Sequence, residues 1–146
     1  METNNALVQD YVDKVCALLE IVPPKITYCR EIPVSESALA ALSADGTELL
    51  LRSFYLDARD LFTAVAHELR HAYQIKQKTF SLDYNRIELA LEEYNMQPAE
   101  IDANAFSVVV MHNFFGVTPT FEALPLYIRD KIKAQALIIV KELDCE

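Results

Sequence analysis

Residues 67–71 read His67-Glu68-Leu69-Arg70-His71, which places two of the three histidines of the chain in one pentapeptide. Around it, Leu61, Val65, Leu69 and Ala72 recur at the spacing of one helical face. Asp57 is suited to cap such a helix, with Asp60 standing where a capping box usually has glutamate, and the helix is expected to run to about Lys76. Residues four apart on a helix lie one above the other, so His67 and His71 share a strip, and it is not the strip of Leu61, Val65 and Leu69. One face is therefore expected in the core and another at a cleft. Two imidazoles so placed can converge on one divalent cation. Glu68, beside the first of them, is then positioned to act as general base toward a water that the cation activates.

Upstream, Leu7, Val8, Tyr11, Val12, Val15, Leu18 and Leu19 predict a helix over about Asn5–Glu20, stopped by Pro23-Pro24. Lys25–Arg30 reads as a short strand. Residues 38–43 and 47–55 flank Asp45-Gly46, a hairpin signal in which both turn positions favour positive φ. Glu48-Leu49-Leu50-Leu51-Arg52 is apolar at its centre, as expected of a strand covered on both faces.

Downstream, residues 79–97 are polar and aromatic, with a short helix predicted over Arg86–Tyr94. Pro98 suits the first turn of a helix over about 98–115, carrying Ile101, Ala105, Val108, Val109 and Phe115, with Gly116 just past its end and Pro119 beyond. A last helix is predicted from about Pro125 to Leu143. Its wide apolar face (Leu126, Ile128, Ile132, Leu137, Ile138, Val140) is assigned to core packing. The expected architecture is α+β: a single domain over residues 1–146, with a small N-terminal sheet packed on the motif-bearing helix and three further major helices.

Bulk properties narrow the function classes. A chain of 146 residues that is 52% hydrophobic and 24% charged can bury one substantial core. A net charge of −9, with no basic stripe, sets it against phosphate backbones, so no direct nucleic-acid partner is expected. The start of the chain lacks the basic and apolar regions of a secretory signal. The apolar run Ala136–Val140 is too short to cross a bilayer, so no membrane partner is expected either. Cys16, Cys29 and Cys145 are odd in number and widely spaced, which suggests reduced thiols and a cytoplasmic protein.

A catalytic zinc ion takes about three protein ligands and keeps an open position. The metzincin extension is absent, because Gln74 and Gln77 stand where its glycine and third histidine would be. The third ligand must come from another segment. The best candidate is Glu100, and Asp102 is the runner-up. Asp102 or Asn104 is otherwise suited to hold a ligating histidine by its second ring nitrogen. Glu100, Ala103, Asn104 and Ser107 share a helical strip, which makes Asn104 the better companion to Glu100. A glutamate in a first helical turn is also favoured by the helix dipole alone.

The pair formed by His67-Glu68-Leu69-Arg70-His71 and the downstream Glu100-Ile101-Asp102-Ala103-Asn104-Ala105-Phe106 resembles the ImmA/IrrE-type zinc metallopeptidases over roughly residues 57–111. A more distant likeness extends to minimal gluzincins such as SprT-like proteins. The resemblance implies a zincin-like fold and a Zn2+ cofactor. It also implies His67 and His71 as metal histidines, Glu68 as catalytic glutamate and Glu100 as third ligand. The chain departs from that pattern at Arg70, where a small residue is common, and in lacking an evident helix-turn-helix segment. The expected activity is that of a zinc-dependent intracellular metallopeptidase acting on a restricted protein or peptide substrate. The alternative is a metal-binding regulatory or interaction protein whose peptidase site is weak or unused. In a third reading the motif is an ordinary solvated helix face. Tyr73, Tyr84, Tyr94 and His112 are candidate oxyanion donors, and Arg70 is expected at the cleft rim or in a salt bridge. Neither the substrate nor the oligomeric state is encoded legibly.

Overall fold

The computed structural model describes residues 4–32, 38–55, 57–78 and 91–144. Among these the elements run α1 (Asn5–Leu19), β1 (Lys25–Cys29), β2 (Ala40–Leu42), β3 (Glu48–Arg52), α2 (Ala58–Gln77), α3 (Leu91–Met96), α4 (Pro98–Phe115) and α5 (Leu126–Asp144), an α+β arrangement. The strands form a mixed sheet in the order β1-β3-β2, with β1 parallel and β2 antiparallel to β3. The sheet borders α2 through β2, while α2 packs on α1 and most extensively on α4, which in turn packs on α5.

Local chemistry explains the boundaries. Asn4 caps α1 by accepting from the Leu7 N–H, and Asp57 caps α2 by accepting from the Arg59 N–H. α1 stops at Leu19, ahead of Pro23-Pro24, because Glu20 turns left-handed (φ 57°). The Glu20 and Ile21 N–H groups then close back on the Ala17 and Cys16 carbonyls. The Glu20 carbonyl also accepts from Lys76 Nζ at 2.6 Å, tying the ends of α1 and α2 together. Pro98 opens α4, and Gly116 closes it at φ 67°.

The β2–β3 hairpin forms where Asp45-Gly46 placed it, but with a different turn. Only Gly46 is left-handed (φ 78°), and its N–H donates to the Ser43 carbonyl at 2.9 Å. The Asp45 carboxylate instead accepts from the Thr47 hydroxyl, the Ser43 hydroxyl and the Thr47 N–H. Those bonds hold its carboxyl down at about 2. A side chain that bonds its own turn leaves only the glycine needing positive φ.

Burial departs from the expected stripes in three helices or strands. In β3, Leu49 and Leu51 are fully buried while Leu50 is half-exposed, so the strand alternates and only one face is packed. α4 is buried around most of its circumference up to Met111, because both α2 and α5 pack on it. Phe115, one of the apolar residues the sequence puts on this helix, is exposed, and its ring stacks on that of the buried Phe62. In α5 the buried stripe is Ile128, Ile132, Ala136 and Ile139. Leu126, Leu137, Ile138 and Val140 face outward, so core packing does not account for the whole apolar face. The short helix expected over Arg86–Tyr94 is described only from Leu91, and it continues to Met96; Tyr84 and Cys145 lie outside the described residues. Cys16 and Cys29 are both free, and among the described residues no helix is long and apolar enough to cross a membrane.

The motif helix carries its stability on one side. Leu61, Val65 and Leu69 have no solvent exposure. Leu69→Ala is expected to lower unfolding free energy by about 2–5 kcal/mol, through lost transfer energy and the cavity left behind. Urea denaturation checks this, with the secondary structure retained in the absence of denaturant.

Candidate metal centre

α4 carries Glu100, Asp102, Asn104 and Ser107 into the interior, each no more than 6% exposed. Buried polar groups are costly unless partnered, so the positions of these four are set by what they meet. Glu100, in the first turn, meets the histidines of α2. Its Oε1 lies 3.1 Å from His67 Nε2 and its Oε2 lies 2.7 Å from His71 Nε2, the latter without the alignment of a hydrogen bond. The two Nε2 atoms are themselves 3.1 Å apart, with the rings nearly perpendicular. One ligand atom from each of His67, His71 and Glu100 thus lies within 4.8 Å of the others, a group able to hold a metal ion.

Electrostatics point the same way. Burial by itself would raise the Glu100 carboxyl, but the hydrogen bond to His67 and the close approach and charge of both imidazoles outweigh it and hold the group well below the usual carboxylate range. Burial would likewise strip the proton from His67. The hydrogen bond and charge of Glu100, the charge of Glu68 and the bond to Asn104 reverse that and raise the imidazole above its ordinary value. A dry carboxylate with two imidazoles at its oxygens is a place that favours a positive charge, whether proton or cation.

The outer ring nitrogens are also engaged. His67 Nδ1 lies 2.7 Å from Asn104 Oδ1, and Asn104 Nδ2 donates to Asn95 Oδ1 at 3.3 Å. His71 Nδ1 lies 2.8 Å from Gln74 Oε1. Glu68 lines the cleft next to His67, and its Oε2 is buried with no hydrogen-bond partner. That cleft, of about 570 Å³, is walled by Leu39 and Ala40 at the β2 edge, by Thr63, His67 and Glu68 on α2, and by the 117–121 loop.

Asp102, the runner-up ligand, is excluded by its own bonds. Its Oδ2 accepts from Arg70 Nε at 2.7 Å and Gln74 Nε2 at 2.9 Å, and its Oδ1 from Arg70 Nη2 at 3.2 Å and Gln135 Nε2 at 2.9 Å. Burial would raise this carboxyl, but Arg70 and the amide donors keep it below its ordinary value. Arg70 is not at the cleft rim. It is buried in this ion pair, with its guanidinium over the Tyr73 and Phe106 rings at 4.5 and 5.2 Å.

Of the candidate oxyanion donors, the three among the described residues do not line the cleft. Tyr73 lines a separate hollow with Arg70 and Glu142, Tyr94 sits in α3, and His112 is exposed in the last turn of α4. Thr63, Thr118 and Thr120 are the hydroxyls that line the cleft instead. Two further features escaped the sequence reading. The 117–121 loop carries no motif. In the sequence pattern Gln74 stands out only as the residue where a metzincin has glycine. Its position three residues past His71, on the histidine strip, was the signal available, since a polar side chain on a buried strip needs partners.

No family model, no curated protein and no solved structure matches the chain.

The Arg70–Asp102 pair yields a stability prediction. Arg70→Met leaves a buried carboxylate without its cationic partner, so unfolding free energy is expected to fall by about 3–5 kcal/mol. Chemical denaturation of the variant at neutral pH reads this directly; a loss within 0.5 kcal/mol, the scale of an ordinary surface change at roughly that size, would contradict it.

Proposed function

We propose that the chain is a zinc-dependent metallopeptidase of zincin-like fold, which hydrolyses peptide bonds of a restricted protein or peptide substrate. One observation carries this reading: three ligand atoms converge from two helices beside a cleft, next to a glutamate whose buried Oε2 has no partner. The donor set fits zinc, since two imidazole nitrogens and one carboxylate oxygen form the protein half of a catalytic site with an open position. The resemblance of the two motif segments to ImmA/IrrE-type metallopeptidases supports the same assignment.

When bound, the ion would supply Lewis acidity, polarising a substrate carbonyl and making water acidic near neutral pH. His67, His71 and Glu100 would hold it. Glu68 accepts the proton of the attacking water and delivers it to the leaving amine, which explains why its free oxygen belongs beside His67 and not in an ion pair. The wall formed by Leu39 and Ala40 limits access to that side of the cleft. A second reading, metal binding without turnover, is favoured by one finding: no tyrosine among the described residues, and not His112, lines the cleft to stabilise an oxyanion.

Purified protein separates these readings. Wild type is expected to take up about one equivalent of Zn2+ at its three-ligand site, and His67→Ala to lose it. Glu68→Gln should retain zinc while cleavage of a peptide library falls by about 10²–10⁴-fold, the usual contribution of a general base. Retained zinc with cellular activity untouched in Glu68→Gln selects the second reading. Failure of wild type to bind zinc ends both.

A further inference from the structure

Gln74 is 3% exposed and touches neither the cleft nor the converging ligand atoms, yet it contacts a histidine on one side and a buried ion pair on the other. We infer that Gln74 is a positioning residue of the proposed metal centre: oriented by Asp102 and the Ala99 carbonyl, its amide fixes His71 in the tautomer that leaves Nε2 free for the ion. The inference rests on the reading of His67, His71 and Glu100 as metal ligands.

Which end of a glutamine amide faces which neighbour is decided by chemistry, not by shape. Gln74 Nε2 lies 3.0 Å from the Ala99 carbonyl oxygen and 2.9 Å from Asp102 Oδ2. A carbonyl and a carboxylate only accept, so the end between them must be the NH2, and both of its protons are used there. Reversing the amide would set an oxygen against two oxygens. Oε1 is therefore the end that faces His71 Nδ1, at 2.8 Å, and an amide oxygen only accepts. Nδ1 must carry the proton. The Nε2 lone pair is then directed at the point shared with His67 Nε2 and Glu100. A neutral imidazole free in water carries its proton mostly on Nε2, the nitrogen needed here, so the chain has to impose the other form.

Asp102 could not do this directly without also placing its charge on the ring. A carboxylate against Nδ1 makes a ligating imidazole more basic. Here the carboxylate stands one amide away, and Arg70 neutralises it at 2.7 and 3.2 Å. Gln74 thus transmits orientation without transmitting charge. Gln135, donating to Asp102 Oδ1 at 2.9 Å, extends the chain of bonds from α5 through Asp102 and Gln74 to His71. At 3% exposure, bulk water cannot replace the missing acceptor.

The test compares wild type with Gln74→Met, which keeps side-chain length and removes both ends of the amide. Zn2+ affinity is measured by competition with a chromophoric chelator, and the state of His71 is read by ¹⁵N NMR of the zinc-loaded protein. The variant is expected to bind zinc about 10–100-fold more weakly, the usual cost of losing a partner of a ligating histidine. Wild type is expected to show His71 ligated through Nε2, with a Nδ1–H proton that exchanges slowly with water. Equal zinc affinity in the two proteins overturns the inference and leaves the metal centre standing. No zinc uptake by wild type overturns the metal centre itself, and this inference with it. If Gln74→Met does not fold, the wild-type spectrum decides alone: ligation through Nδ1, or a Nδ1–H that exchanges freely, overturns the role assigned to Gln74.

Discussion

Glu100 is a carboxylate with no solvent exposure, and the polar interior of this chain is arranged around balancing it. An ion in such a place is tolerated only when opposite charge or strong donors stand against it. No lysine or arginine among the described residues pairs with it; two imidazoles of α2 do. Imidazoles are conditional cations. They answer Glu100 either by holding a proton or by turning lone pairs toward a metal ion that supplies the charge. The crossing of α2 over α4 is therefore more than packing: it brings an unavoidable negative charge to two groups whose charge can be exchanged for a cation's.

The same crossing explains why α4 is so unlike an ordinary amphipathic helix. With both α2 and α5 packed on it, it has almost no solvated face between Ala99 and Met111, and polar residues there must find partners indoors. Asn104 and Asp102 divide that work. Asn104 reaches His67, while Asp102 reaches Arg70, Gln74 and Gln135. Both histidines end up backed by neutral amides, not carboxylates. On α2 the labour is divided by face: Leu61, Val65 and Leu69 supply apolar burial, and His67, His71 and Gln74 supply the polar contacts.

Much of this was legible before any coordinates. The i, i+4 histidines on a strip distinct from Leu61, Val65 and Leu69, the caps at Asp57 and Gly116, and the strip shared by Glu100 and Asn104 follow from helical geometry alone. Periodicity could not choose between Glu100 and Asp102, because that choice depends on what Arg70 and Gln135 do, and Gln135 lies on a helix whose angle to α4 no pattern specifies. The two-faced burial of α4 was hidden for a related reason: a sequence reveals which residues are apolar, not how many neighbours a helix will have. The outward-facing Leu137 and Ile138 of α5 mark the reverse error, an apolar residue assumed to be covered. The Asp45 turn departs from the expected form because its side-chain bonds compete with the backbone preference that Asp-Gly usually signals.

Arg70 is the residue at which this chain departs most visibly from the pattern its motif resembles, and energetics alone do not account for it. Replacing a buried ion pair by apolar side chains of similar volume is often neutral, or stabilising by about 1–4 kcal/mol, so the pair does not exist because it strengthens the core. It exists in a context where Asp102 must be present as an acceptor, since Gln74 Nε2 would otherwise have one buried proton unpaired and no reason to face away from His71. Given Asp102, a cation is needed beside it, and position 70 is on the helical turn that faces it. The arginine is then a consequence of the glutamine, and the glutamine a consequence of the histidine. A small residue at position 70 would fit a site whose second histidine is held by some other device. In this chain Arg70, Asp102 and Gln74 form one bonded set, and His67, His71 and Glu100 converge beside it.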